Sequence, residues 1–318
     1  MKVLITGTEG FVGTYMAEFL IDKGVEIYGT AWRRASLTSL EHIKDKITLF
    51  TGDIIEEGFL ERTIKEVMPE RIIHLAAQSH VPTSWEDPAN TIITNTVGTI
   101  NLFLAVIEAG YNPRILNACA ANEYGLTTED DIPLTEKTVL KPLNPYAVSK
   151  VAVDMLGFLY AKSPAHRLNI INVRPFSHIG PRQDEKFASS AFARQIALIE
   201  KGLQEPIIHV GNLEPKRDFT DVRDVIEAYW LALEKAIPGE VYNICSENAY
   251  SIRELLNLLL SMAKVNIEVR QDPERMVPSD VPIIVGACTK FKILTGWKPR
   301  IPFEKTLEDI LTYWRERV

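Results

Sequence analysis

The sequence predicts an α/β protein built on a doubly wound parallel sheet. Three observations carry that expectation. Short apolar, strand-like runs alternate with segments of helical periodicity as far as Arg182. Glycines at 7, 10 and 13 sit between the first such strand and the first helix. Tyr146 and Lys150 lie four residues apart on a later helical segment, hence on one face.

The chain has 318 residues, 46% of them hydrophobic, which suits two domains or one large domain with an appendage. A net charge of −7 and a pI near 5.5 provide no global field for nucleic acid or an anionic membrane, so neither partner is expected. An anionic ligand would need a local basic pocket. Cys119, Cys245 and Cys288 are widely spaced in sequence and form neither a metal-ligand nor a disulfide pattern. No metal is expected, and a reducing cytoplasm is. No signal peptide and no apolar run long enough to span a bilayer is expected.

Lys2–Thr6 reads as a buried strand. In Thr6-Gly-Thr-Glu-Gly-Phe-Val-Gly13, Gly7 allows a tight turn, Gly10 lets backbone approach a pyrophosphate, and Gly13 lets a helix over 14–23 pack closely. The free N–H groups and dipole at the start of that helix favour phosphate, and Phe11 and Val12, just before it, are candidate cofactor contacts. This strand, glycine loop and helix order is the context of a dinucleotide fingerprint. Residues 25–29 read as the second strand. Its end carries Arg33 and Arg34 and no acid, which suits the 2′-phosphate of NADP, with NAD as the alternative. Strands follow at 47–51, 71–77, 114–118 and 169–173, and helices at 60–68, 91–109 and 144–162. Asp53 and Ile54 follow the third strand, and Asp53 can reach an adenine edge. His74, inside the fourth strand, reads as a packed core histidine. Ligands sit at the carboxyl ends of such strands. The glycine loop, Gln78, the 119–125 loop and residues 174–182 all lie at those ends.

After Arg182 the alternation becomes irregular and basic residues cluster in loops. Helices are expected at 188–201, 222–235 and 251–263, the last opened by a Ser251/Glu254 capping box. Residues 242–244 could add a strand to the first sheet. The expected division is a dinucleotide-binding domain over 1–176, with returning segments at about 219–246, and a smaller substrate domain mainly over 177–318.

The glycine loop, the Tyr146/Lys150 pair and the overall layout together resemble the extended short-chain dehydrogenase/reductase family, a Rossmann fold with a smaller α/β substrate domain. Residues 76–81, 174–181, 211–218 and 295–299 resemble its GDP-mannose branch, which holds GDP-mannose 4,6-dehydratases and GDP-4-keto-6-deoxymannose reductases. Residues 205–299 look closest to the reductases, which make GDP-rhamnose. The resemblance implies that Gly7, Gly10 and Gly13 hold the pyrophosphate, and that Arg33 and Arg34 hold the 2′-phosphate. It sets Asp53 and Ile54 beside the adenine. Leu75, Ala76 and Ala77 would line the ribose and nicotinamide side, with Pro175 and Phe176 near the nicotinamide. Tyr146 would donate a proton to the sugar's 4-keto oxygen, and Lys150 would lower the tyrosine pKa. Gln78, Ser79, Ser177, Arg182, Asn212, Arg217, Arg275 and Asp280 are the candidates for the GDP-sugar. A homodimer is implied, formed by the helices at 91–109 and 144–162.

Two departures stand out. The family carries Ser or Thr where this chain has Ala120. Its dehydratases carry a glutamate general base where this chain has Asn122. Val277 also stands where an arginine is usual. The leading expectation is an NAD(P)H-dependent reductase of a GDP-4-keto-6-deoxy sugar, weakened by Ala120. The alternatives are a GDP-mannose 4,6-dehydratase, another nucleotide-sugar epimerase or dehydrogenase, and a catalytically impaired nucleotide-sugar-binding protein.

Overall fold

The computed structural model describes residues 1–272 and 281–318. The strands are β1 (Lys2–Thr6), β2 (Glu26–Trp32), β3 (Ile47–Gly52), β4 (Arg71–His74), β5 (Arg114–Ala118), β6 (Ile170–Pro175), β7 (Ser177–Ile179), β8 (Ile207–Val210), β9 (Lys216–Asp221), β10 (Val241–Ile244), β11 (Ala249–Ser251), β12 (Glu268–Gln271) and β13 (Ile283–Ile284). The helices are α1 (Phe11–Asp22), α2 (Phe59–Val67), α3 (Val81–Glu86), α4 (Pro88–Ile92), α5 (Gly98–Glu108), α6 (Pro145–Lys162), α7 (Ala188–Glu200), α8 (Val222–Lys235), α9 (Ile252–Ser261), α10 (Thr289–Thr295) and α11 (Phe303–Arg315).

Seven strands form the main sheet in the order β10-β6-β5-β4-β1-β2-β3, and every pairing is parallel. The chain order reverses between β1 and β4. A ligand crevice opens at such a switch point, at the carboxyl ends of the strands. The central strands are apolar on both faces because helices cover both. On one face Met16 and Leu20 of α1 pack with Val225, Tyr229 and Leu233 of α8. On the other, Leu60 and Ile64 of α2 pack with Leu102, Phe103 and Val106 of α5. Each fully buried side chain of this size contributes roughly 1.5–3 kcal/mol.

A second core joins Phe192 and Ile196 of α7, Leu255 and Leu259 of α9, and Leu307 and Ile310 of α11. On these two cores we propose the two-domain division, with one revision. Val281, Ile284, Phe291 and Trp297 pack into the first core, so the returning segments extend past 219–246. The helices α10 and α11, and the strands of the small sheets, were not legible in the sequence.

Expected boundaries moved for identifiable reasons. The second strand runs to Trp32 because Gly29 is a close-approach position rather than a terminator. A Cβ there would lie 2.4 Å from Thr8 Oγ1, in the loop that crosses the strand. Asn144 is the N-cap of α6, its Oδ1 accepting Ala147 N–H at 2.8 Å. Ser251 caps α9 in the expected box with Glu254. His74 is a core residue: its ring nitrogens meet Thr6 Oγ1 at 2.8 Å and Thr99 Oγ1 at 3.0 Å. One expectation is corrected. Pro88–Glu108 forms a helix that is long and apolar enough, by length and composition, to cross a bilayer. Here it packs against α6 and carries buried Asn95 and Thr99.

Burial lowers the His74 pKa from 6.5 to about 3. Below pH 6.5 the unfolded chain takes up a proton that the folded chain refuses. Stability is therefore complete above pH 6.5 and falls on acidification towards pH 3, by up to about 1.4 kcal/mol per pH unit. Urea midpoints measured from pH 7 to pH 4 should fall less steeply for His74→Gln than for the unaltered protein.

Candidate active site

The glycine loop lies where β1 meets its neighbours. Gly7 has φ +72°, and a Cβ on it would sit 2.9 Å from Ala76 backbone. A Cβ on Gly13 would lie 2.2 Å from Gly7 O, so helix and loop pack at backbone contact. Gly10 caps α1 without a side-chain hydrogen bond, which leaves the first-turn N–H groups of Phe11, Val12 and Gly13 to a phosphate. These residues fit a dinucleotide. Leu75 and Ala76 are tied to the loop, since Thr6 Oγ1 accepts both of their N–H groups at 3.2 Å. Ala77 follows them.

At the end of β2, Arg33 pairs with Glu56, and the Arg34 guanidinium lies 6.0 Å from the Trp32 ring centre. Asp53 Oδ2 accepts Trp32 Nε1–H at 3.1 Å. Ile54 is buried against Gly98. The sequence showed no acid at this strand end, but the fold supplies one. Glu9, from the glycine loop, accepts Trp32 N–H at 2.9 Å. Burial pushes its carboxyl up.

Tyr146 and Lys150 are both buried on α6, at the carboxyl end of β5. Lys150 Nζ donates to Ala118 O at 2.8 Å. The expected downward pull on Tyr146 is not what dominates. Burial pushes the phenol up, and the charges of Glu123 and Cys119 add to this. Burial also lowers Lys150. A phenol held this way keeps its proton and can donate it.

Ala120 and Ala121 are buried, and the turn Ala121–Tyr124 follows. Asn122 is half-buried on that turn. A further acid in this turn, not singled out in the sequence, is Glu123. It is fully buried, with Oε1 accepting Ala120 N–H at 2.7 Å. Arg174 Nε lies 3.3 Å from its other oxygen. Arg174 also meets Asp154 through two nitrogens, one at 2.8 Å, and donates to Tyr124 OH at 3.1 Å. Tyr124 OH donates to Asn243 Oδ1 at 2.6 Å. Burial drives Glu123 well above the usual carboxylate range, and the neighbouring Asp154 adds to this. A sequence signal for Asp154 existed: it lies one turn beyond Lys150 on the same face. Asn95 was also missed. It sits where the helix widens to a π-turn at Ile93–Val97, and it bridges Gln78 O at 2.9 Å and Ser149 Oγ at 2.8 Å.

The other expected residues sit on several elements. Gln78 is pinned by Asn95 and Thr91, and Ser79 is exposed. Pro175 ends β6, and Phe176 is buried with its ring 6.1 Å from that of Tyr124. Ser177 opens β7 beside Phe219. Arg182 is bidentate to Glu18 at 2.5 and 2.8 Å and covers Tyr15, so its charge is paired with α1. Asn212 shapes a loop by accepting Glu214 N–H at 3.0 Å. Arg217 is half-buried, and desolvation lowers it to about 10. Arg275, Val277 and Asp280 lie outside the described residues.

The cysteines are corrected. All three are free and buried, but the fold gathers what the sequence spreads apart. Cys245 and Cys288 meet Glu247, and Cys119 meets Glu123 and Asp154, each set within 4.8 Å. A side-chain cation already sits on each: Lys292 on Glu247, and Arg174 on Asp154.

A Rossmann sheet, a glycine loop and a buried Tyr/Lys pair define an NAD(P)-dependent enzyme of the extended short-chain dehydrogenase/reductase class. The chain belongs to the GDP-mannose 4,6 dehydratase family, whose model matches residues 4–310. It is 36% identical over 317 residues to GDP-6-deoxy-D-mannose reductase of Pseudomonas aeruginosa, covering 100% of this chain and 98% of that protein. Its fold matches the structure of RMD from Pseudomonas aeruginosa complexed with NADPH, with a TM-score of 0.84, 33% identity and coverage of 100% and 99%. It also matches UDP-glucose 4-epimerase of Thermus thermophilus in complex with NAD, with a TM-score of 0.89, 28% identity and full coverage of both chains.

Removing Asp154 would leave Arg174 buried with only the weakly acidic Glu123 beside it. Asp154→Ala should cost about 3–5 kcal/mol of stability, read as a lower urea midpoint.

Proposed function

We propose that this protein reduces the C4 keto group of GDP-4-keto-6-deoxy-mannose to give GDP-rhamnose, with NADPH as cofactor and NADH also accepted. The observation that carries this reading is the buried Tyr146/Lys150 pair, one turn apart on α6 and anchored at the carboxyl end of β5 through Ala118 O. The likeness to the Pseudomonas reductase supports it.

The bound nicotinamide supplies hydride chemistry at C4. Tyr146 holds the proton that the 4-keto oxygen takes up. Lys150, fixed by Ala118 O, keeps a positive charge beside that oxygen as negative charge develops. Gly7, Gly10 and Gly13 cradle the pyrophosphate of the cofactor. Arg217 meets the diphosphate of the GDP-sugar, which favours its charged form against burial.

The family's name favours a second reading, GDP-mannose 4,6-dehydratase. Asn122 weighs against it, because water loss needs a base for the C5 proton. Glu123 is no substitute, since it faces Ala120 N–H and Arg174.

The reading includes a homodimer in the cytoplasm. The three free cysteines support the compartment. An apolar surface supports the dimer: Ile93, Val97 and Leu104 on one helix, and Val148, Met155 and Leu159 on α6, are 39–56% exposed. Their spacings of four, seven and eleven residues line up one stripe per helix. Sedimentation at micromolar concentration should give twice the chain mass, and Leu104→Glu with Leu159→Glu should give the monomer.

Ala120 lacks the hydroxyl donor of the family. A positioned donor of this kind contributes roughly 10²–10³ in turnover. Ala120→Ser should therefore raise kcat for reduction of the 4-keto substrate and leave KM nearly unchanged. Dehydratase activity on GDP-mannose should appear only when Asn122→Glu is added. An unchanged kcat in Ala120→Ser would contradict the assigned geometry.

A further inference from the structure

The end of β2 carries the choice between the two nicotinamide dinucleotides in folds of this kind, because the adenosine ribose lies there. A carboxylate at that end accepts the ribose 2′-hydroxyl, and a cation accommodates a 2′-phosphate. In this chain the strand itself contributes Arg33 and Arg34, yet the first is already committed to Glu56. The acid arrives from a different element. Gly7 and Thr8 both donate backbone N–H to Thr30 O at 3.0 Å, which lays the glycine loop along β2. Glu9 then reaches the strand end, where its Oε1 accepts Trp32 N–H at 2.9 Å. The loop is held in place from the far side, because Ser39 Oγ donates to Glu9 O at 2.8 Å. The other oxygen, Glu9 Oε2, is buried and has no hydrogen-bond partner among the described residues. A buried acceptor without a donor costs free energy that an arriving hydroxyl would recover. A dianionic phosphate in the same place would instead meet like charge.

We propose that Glu9 is a specificity-determining residue for the cofactor: its carboxylate stands in for the acid that β2 lacks, accepts the ribose 2′-hydroxyl of NADH, and opposes the 2′-phosphate of NADPH. This rests on the dinucleotide site of the proposed function. Glu9 and Arg34 then pull in opposite directions within one pocket, and the protein accepts both cofactors where the arginines alone would select NADPH.

The test is a direct binding titration of NADH and NADPH, followed by nicotinamide fluorescence, on the unaltered protein and on Glu9→Gln. Glutamine keeps an oxygen for Trp32 N–H and removes the charge. Circular dichroism and the melting temperature show whether the variant is folded, and Glu9→Ser provides a second neutral side chain. The expected result is that Glu9→Gln shifts the ratio of the two dissociation constants towards NADPH by about tenfold, the size of one screened like-charge contact. NADPH should bind more tightly and NADH no more tightly than before. The same ratio in the unaltered protein and in both folded variants would overturn the role of Glu9 and leave the reductase reading standing. Failure of the unaltered protein to bind either dinucleotide would overturn both.

Discussion

The buried guanidinium of Arg174 is the constraint on which the site depends. A charge in a protein interior must be paired and hydrogen-bonded, or it costs several kcal/mol. Arg174 meets that demand by collecting partners from separate elements: Asp154 from α6, and Glu123 and Tyr124 from the turn after β5. Tyr124 passes the connection to Asn243 on β10, and Asn243 passes it to the carbonyls of Leu134 and Ala287. The helix bearing Tyr146 and Lys150 is thereby locked to the sheet edge and to the segment returning from the second lobe. The register of the reacting groups follows from satisfying one cation.

Burial then decides the electrostatics. An ammonium near a phenol ordinarily stabilises the phenolate. Here desolvation outweighs that pull, and a nearby carboxylate pushes the same way. Lys150 is lowered for the same reason, since burial penalises its charge. The phenol therefore rests protonated, and because burial makes it a weaker acid, the charge that develops on the substrate oxygen must ease the release of its proton.

The crevice is assembled from elements of unequal rigidity. The glycine loop is set by backbone contact, with no room for a Cβ at Gly13. The 119–125 turn is held by a side-chain acceptor, Glu123, whose Oε1 takes Ala120 N–H. The π-turn at Asn95 re-aims one side chain so that Gln78 and the first turn of α6 share an anchor. A polar group placed this way fixes a loop at a cost in helix regularity, a trade frequently found beside functional sites.

Much of the fold was readable from local pattern. The alternation of apolar runs and helical periodicity, the glycines at 7, 10 and 13, and the i, i+4 spacing of Tyr146 and Lys150 are short-range features, and short-range sterics and periodicity decide them. What they could not carry was any fact that depends on two distant segments meeting. Glu9 is a loop residue in sequence and an acid at the end of β2 in space, because parallel pairing of β1 with β2 brings it there. Arg182 looks like a free cation until α1 presents Glu18. Cys245 and Cys288 stand 43 residues apart and come together only when residues 281–288 fold back beside β10. Glu123 is one more acid in a polar turn until burial and Arg174 give it a chemistry of its own. Local order was written in residue spacing, whereas charge pairing and protonation waited on tertiary structure, because burial and long-range neighbours set the energy of a charge.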